Sequence, residues 1–277
     1  TNEDTLAELA ADADVIMVVY AKITRKIIEN AKKLKGIVRY GIGIDNIDLE
    51  VATSRGVFVT NVPDYGIGSV ADFVFALILA LVRKIIQADR YIRSKAYLNK
   101  WTNPPEELRG IDLEGKTLGL IGLGKIGSEV AKRAIGFSMN VLAYDPYVSP
   151  EIAKRLNVKL VDLETLLRES DIVSIHSPLT KETYHLIDEN RLRLMRKTAY
   201  IINTARGPII DEKALYKALK ERRIAGAALD VYETEPLPTD SPLFELDNVI
   251  LTPHIAWYTE EALKRLEMTA VDRKSVV

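Results

Sequence analysis

Residues 118–146 read LGLIGLGKIGSEVAKRAIGFSMNVLAYDP: an apolar run, three glycines, an amphipathic stretch, and a second apolar run that ends in an acid. That order confines the segment to strand, glycine turn, helix and second strand, the unit that binds a dinucleotide. Gly122 permits the tight turn, Gly124 lets backbone N–H groups approach a pyrophosphate with no Cβ in the way, and Gly127 allows the helix to pack closely on the sheet. The pyrophosphate then rests on a helix N-terminus, where unpaired N–H groups and the macrodipole favour an anion. Asp145 closes the second strand twenty-one residues past Gly124, the spacing at which a carboxylate accepts hydrogen bonds from both hydroxyls of an adenosine ribose. The same carboxylate repels a 2′-phosphate, so NAD is expected rather than NADP.

Composition limits what such a site can serve. The 277 residues suffice for a large core and two domains. Their 38 basic and 39 acidic side chains leave no net field to gather nucleic acid or an anionic membrane, so the expected partner is a small molecule. Without cysteine there is no disulfide, thiolate nucleophile or Cys-ligated zinc; no metal is expected, and the chain reads as cytoplasmic. The longest apolar run, 73–82, is about half a bilayer span and reads as a buried helix.

The rest of the chain alternates strand and helix patterns. Strands are expected at 14–20, 36–40 and 57–60, with helices at 24–34, N-capped by Thr24, and at 49–55, making a small parallel unit. One long helix is expected over 69–95, its first half almost wholly apolar. Pro104 and Pro105 break the chain, and strands follow at 117–121, 140–144, 158–161, 171–176, 199–203, 226–231 and 249–251. The fold class is α/β: a doubly wound parallel sheet with right-handed crossovers and a smaller α/β domain.

Ligands of such sheets bind at the carboxyl ends of the strands. Four of those ends carry unusual residues: Ser177-Pro178 after 171–176, Thr204-Ala205-Arg206-Gly207 after 199–203, Asp230 and Glu233-Thr234-Glu235-Pro236 after 226–229, and Thr252-Pro253-His254 after 249–251. A guanidinium can grip a carboxylate bidentately, an imidazole can pass a proton to a developing alkoxide, and a carboxylate behind the imidazole orients it and favours its protonated form. Arg206, His254 and Glu235 supply those parts for hydride transfer at a 2-oxo or 2-hydroxy acid. Glu233 competes with Glu235 and is read as solvated. His176 ends a buried strand and is read as structural or as a neighbour of the cofactor loop; His185 is read as lying on a solvated helix.

VRYGIGIDNID at 38–48, GLGKIG at 122–127, NTARG at 203–207, LDVYETEP at 229–236 and TPHIA at 252–256 resemble the signatures of the D-isomer-specific 2-hydroxyacid dehydrogenases, in order and over nearly the whole chain. The resemblance implies a Rossmann NAD-binding domain, 67–256, inserted into a flavodoxin-like substrate domain, 1–66 with 257–277, and an active site in the cleft of that family. It implies Arg206 as substrate-binding arginine, Glu235 as orienting acid and His254 as acid/base. Cofactor contacts are expected from Gly122, Gly124, Lys125, Ile126, Gly127, Asp145, Ser177, Pro178, Thr183, Thr204 and Ala205, and Asp230 resembles the family's carboxamide-binding aspartate. Tyr40, Gly41, Ile42 and Gly43 resemble its second carboxylate clamp, with Arg206 and Trp257 also set against the substrate. The apolar helix at 73–82 and the arm through Trp101 resemble its dimerisation surface, so a homodimer is expected.

The segment around Arg39 resembles D-3-phosphoglycerate dehydrogenases, for which Arg39 and Lys22 offer extra cations, although Arg39 serves equally in a salt bridge. With nothing after Val277, feedback by serine through a further domain is not expected of this stretch. VPDY at 62–65 and AWY at 256–258 instead resemble the C-terminal-binding-protein branch. Trp257 is read either as packing on an apolar substrate or as a hinge residue. The best expectation is oxidation and reduction of D-3-phosphoglycerate and 3-phosphohydroxypyruvate. The alternatives are a glyoxylate/hydroxypyruvate reductase and an NADH-sensing partner-binding protein, which need not turn over.

Overall fold

The computed structural model describes residues 2–96, 98 and 103–274, and the chain divides into two compact units, 1–66 with 258–277 and 67–257. The first begins with α1 (Glu3–Ala10), capped by Asn2, whose side chain accepts the Asp4 amide. Three parallel strands follow in chain order, β1 (Val15–Val18), β2 (Gly36–Arg39) and β3 (Phe58–Thr60), joined by α2 (Arg25–Asn30) and α3 (Leu49–Ser54). Ile27, Ile28, Ile37 and Ala52 fill its core. Thr24 stands at the N-cap position of α2, but its side chain caps nothing there; its hydroxyl donates to the Glu3 carboxylate.

The second unit corrects the single helix expected over 69–95. It holds two, α4 (Ile67–Val82) and α5 (Ile85–Arg93), broken at Lys84, which has a left-handed φ of 56°. The Val82 carbonyl, which would accept from Ile86 in a continuous helix, accepts instead from Ile111 N at 3.0 Å. The dimer arm expected through Trp101 lies outside the described residues at that position.

Seven parallel strands then alternate with helices: β4 (Thr117–Ile121), α6 (Lys125–Gly136), β5 (Asn140–Tyr144), α7 (Pro150–Arg155), β6 (Lys159–Leu160), α8 (Leu163–Glu169), β7 (Ile172–Ile175), α9 (Glu189–Leu194), β8 (Tyr200–Asn203), α10 (Glu212–Lys220), β9 (Gly226–Leu229) and β10 (Val249–Leu251). Their order is β10-β9-β8-β7-β4-β5-β6. The chain moves outward from β4 to β6 and then returns to β7 on the other side of β4, so the topological switch point lies between β4 and β7. Every residue of β7, β8 and β9 is buried, as strands covered on both faces require, which is why they read as unbroken apolar runs. Finally α11 (Glu260–Lys274) belongs to the first unit, where Arg265 Nε donates to the Tyr65 carbonyl at 2.7 Å. Among the described residues no helix is long and apolar enough to cross a membrane.

Candidate active site

The switch point is built around the turn from β4 into α6. Gly122 has a φ of 97°, and a Cβ on it would stand 2.8 Å from the His176 carbonyl carbon at the end of β7. A Cβ on Gly127 would stand 2.2 Å from the Gly122 oxygen, so α6 can lie this close to the turn only with glycine there. Gly124 is the N-cap of α6 and offers no side chain to its first N–H groups, and the space beside it is open. Lys125 and Ile126 start the helix, with Ile126 half-buried against the core.

Asp145 does more than its spacing suggested. One oxygen accepts Leu123 N at 2.8 Å, and the other accepts Tyr147 N at 2.9 Å and Val148 N at 3.1 Å. It thereby ties the glycine turn to the end of β5, leaving about one of the carboxylate's roughly four acceptor positions for a ligand. Two hydroxyls at the neighbouring strand ends, Ser177 Oγ and Thr204 Oγ1, are buried without a hydrogen-bond partner. Such an orphan costs about 1–3 kcal/mol, so a polar group belongs against them. An uncapped helix N-terminus, an acid at the second strand end and two orphaned hydroxyls fit a dinucleotide.

The other expected cofactor residues shape these loops. Thr183 is spent within its own loop, its hydroxyl donating to the Pro178 carbonyl at 2.6 Å while accepting Thr180 N at 2.7 Å. Ala205 N donates to Asn203 Oδ1 at 3.0 Å. His176 lies 2.9 Å through Nε2 from Ser174 Oγ, and burial pushes its pKa down to about 3, which keeps it neutral.

At the ends of β8, β9 and β10 the arginine, glutamate and histidine gather. Arg206 precedes a short 3₁₀ turn, Gly207–Ile209, and its Nη1 donates to the Ala205 carbonyl at 2.7 Å. Glu235 accepts Tyr232 N at 3.1 Å on one oxygen, and its other oxygen lies 2.7 Å from His254 Nδ1. Burial raises the Glu235 pKa, but the His254 hydrogen bond and charge, the Tyr232 amide and the Arg206 charge together hold it below the usual carboxylate range. His254 has a left-handed φ of 55°, a conformation that persists in a bulky residue only when its surroundings fix it.

Asp230 and Tyr232 do the fixing. Asp230 is fully buried, and its carboxylate accepts Thr252 Oγ1 at 2.6 Å, Ile255 N at 3.0 Å and Ala256 N at 2.8 Å. The Tyr232 hydroxyl, which the sequence reading passed over, donates to the Thr252 carbonyl at 2.8 Å. Its only sequence signal is an aromatic at the end of an apolar strand.

Two sequence readings are corrected. Glu233 is half-buried rather than solvated, and His185 lies in a turn rather than on a helix, with a φ of 48° and its Nε2 2.5 Å from Glu233 Oε1. Trp257 is half-buried against the core of the second unit. In the first unit, the carbonyls of Gly41 and Ile42 accept from Val62 N at 3.0 Å and Asn61 Nδ2 at 2.7 Å. The Arg39 guanidinium folds over Gly41, where a Cβ would stand 2.6 Å from Nη1, and donates to the Tyr40 carbonyl.

A doubly wound sheet with a dinucleotide turn, an arginine and a carboxylate-backed histidine at its strand ends defines a nicotinamide-linked oxidoreductase. Residues 75–256 match the model of the D-isomer specific 2-hydroxyacid dehydrogenase NAD-binding domain. The glyoxylate reductase of Korarchaeum cryptofilum is 46% identical over 97% of this chain and 81% of its own length. The D-3-phosphoglycerate dehydrogenase of Methanocaldococcus jannaschii is 49% identical over 95% of this chain but only 49% of its own length. Among solved structures, a D-lactate dehydrogenase from Aquifex aeolicus complexed with NAD and lactic acid is 38% identical, with a TM-score of 0.89 over 98% of this chain and 84% of that one. The chain belongs to the D-isomer specific 2-hydroxyacid dehydrogenase family and is an NAD-dependent dehydrogenase acting on 2-hydroxy acids.

Proposed function

We propose that the protein reduces a short 2-oxo acid of the glyoxylate and hydroxypyruvate class, with Arg206, Glu235 and His254 as its working residues. The observation that carries the reading is the 2.7 Å contact between Glu235 and His254 Nδ1, which commits Nδ1 to the carboxylate and leaves Nε2 to exchange a proton with the substrate. The Gly122–Gly127 turn, Asp145, Ser177 and Thr204 would hold a nicotinamide dinucleotide, which when bound would supply the hydride for the reduction. The Arg206 guanidinium grips the substrate carboxylate and fixes C2 in place. The His254 Nε2–H protonates the oxygen on C2, and Glu235 stabilises the imidazolium that precedes this transfer. Asp230 holds the backbone on which His254 rides, and its remaining acceptor capacity suits the cofactor carboxamide.

Within the first unit, we propose the backbone at Tyr40, Gly41, Ile42 and Gly43 as a carboxylate contact. Relatives named glyoxylate reductase support the short-acid reading. The Arg39 guanidinium over Gly41 favours a second reading, 3-phosphohydroxypyruvate, in line with relatives of that name. We also propose a homodimer, on the exposed Ile85 and Ile92 of α5, and a cytoplasmic location, on the cofactor and the cysteine-free composition.

The test is kcat/KM with NADH across glyoxylate, hydroxypyruvate, pyruvate and 3-phosphohydroxypyruvate. Preference for the first two is expected. Preference for the phosphorylated acid would replace this substrate with the second reading, and NADH binding without turnover would leave a sensor.

A further inference from the structure

Glu233 and Glu235 stand two residues apart on one irregular segment, and each faces a histidine: Glu235 faces His254 at 2.7 Å and Glu233 faces His185 at 2.5 Å. Both histidines have left-handed backbones, a cost of order 1–3 kcal/mol each that only a well-determined surrounding maintains. The second pair is not isolated. Glu233 N donates to Glu212 Oε2 at 3.2 Å, and Glu212 is the first residue of α10. The Tyr184 ring stacks on the His185 imidazole with centroids 4.1 Å apart.

Around this cluster three segments are clipped together. His185 N donates to the Pro208 carbonyl at 2.8 Å, Ile187 N to the Ile209 carbonyl at 3.0 Å, and Asp211 N back to the Ile187 carbonyl at 3.0 Å. The turn that follows Arg206 is therefore bound to the His185 segment. It also lies backbone to backbone against the Glu235 segment, since a Cβ on Gly207 would stand 1.9 Å from the Tyr232 carbonyl carbon. Arg206 and Glu235 each leave this junction on one short backbone span.

We propose that the His185–Glu233–Glu212 cluster is a positioning device that sets the Arg206 guanidinium and the Glu235 carboxylate in register. The inference rests on the roles proposed for Arg206, Glu235 and His254. Its three residues are positioning rather than catalytic residues. Releasing the Glu233 side chain frees the segment two residues from Glu235, and a displacement of about 1 Å at a catalytic group can cost on the order of 100-fold in rate.

The experiment compares His185→Leu, His185→Gln and Glu233→Ala in the whole protein. His185→Leu is expected to lower kcat about 10- to 100-fold with NADH affinity within about twofold of the parent. His185→Gln, whose amide nitrogen can replace Nε2 as the donor to Glu233, is expected to recover most of the loss. Glu233→Ala removes the acceptor from the other side of the pair and carries the same expectation as His185→Leu should that variant not fold. A readout that needs no turnover accompanies these: the downfield proton resonance of His254 Nδ1–H, hydrogen-bonded to Glu235, should move upfield in His185→Leu and return in His185→Gln. Parental kcat and an unmoved resonance in His185→Leu or Glu233→Ala would overturn the inference, as would a loss that His185→Gln does not recover. A parent that turns over no 2-oxo acid would overturn the proposed function instead, while the resonance still decides the positioning.

Discussion

Replacing Asp230 by Asn tests whether the buried carboxylate holds the histidine loop. In the parent, one oxygen accepts Thr252 Oγ1 and Ile255 N, and the other accepts Ala256 N at 2.8 Å. Asn can keep the first pair on its single oxygen, but its NH₂ then opposes the Ala256 N–H, donor against donor. The change removes one hydrogen bond to a charged group, about 1.5–3 kcal/mol, and leaves a buried amide unsatisfied at about 1–3 kcal/mol. Because these describe overlapping losses, the net is about 2–4 kcal/mol, or about 5–15 °C in the Tm of a unit of this size. The backbone that yields is residues 252–256, so His254 moves with it, and kcat should fall about 100-fold. Differential scanning calorimetry and steady-state NADH oxidation on the same preparation measure both. An Asp230→Asn protein with parental Tm and kcat would refute the bracing argument. A variant that lost only NADH affinity would assign Asp230 to the cofactor alone.

Arg206→Ala should cost about 3 kcal/mol of transition-state binding, roughly 100-fold in kcat/KM, with NADH affinity unchanged by fluorescence titration. Gly207→Ala forces a Cβ to 1.9 Å from backbone that cannot swing away, so a stability loss of about 3 kcal/mol together with a fall in kcat is expected in thermal melts and rate assays. Asp145→Ala should shift the NAD-to-NADP preference by about tenfold or more toward NADP, and an unchanged ratio of kcat/KM values would remove the ribose role. For pH, a carboxyl whose native pKa is depressed stabilises the fold above its ordinary value and loses that contribution as protonation proceeds through the depressed one. The Glu235 pKa is held below its ordinary 4.5, so the Tm gap between the parent and Glu235→Gln should be widest near neutrality and close as pH falls below that value.

The features legible in sequence were those with local causes. Strands buried on both faces, such as Ile172–Ile175 and Tyr200–Asn203, read as apolar runs, and the turn at Gly122 and Gly127 reads directly because only glycine satisfies its geometry. Arg206, Glu235 and His254 stood out as candidates because strand ends are where this sheet class places its ligands. The break at Lys84 was not legible, since no glycine or proline marks it and its cause is a distant donor, Ile111 N. The solvated readings of His185 and Glu233 failed for the same reason: their contact spans 48 residues, and no local pattern encodes it. Tyr232 was passed over because a phenol at a strand end looks like core until its hydroxyl is seen on the Thr252 carbonyl.

The central claim is that His254, backed by Glu235, delivers the proton that accompanies hydride transfer to a 2-oxo acid. Its most direct test is NADH consumption with hydroxypyruvate, chiral analysis of the glycerate formed, and the same assay on His254→Ala. The account predicts one D-glycerate for each NADH oxidised and a loss of at least about 100-fold in kcat for the variant with NADH binding retained. L-glycerate, or a His254→Ala protein that turns over at the parental rate, would contradict it.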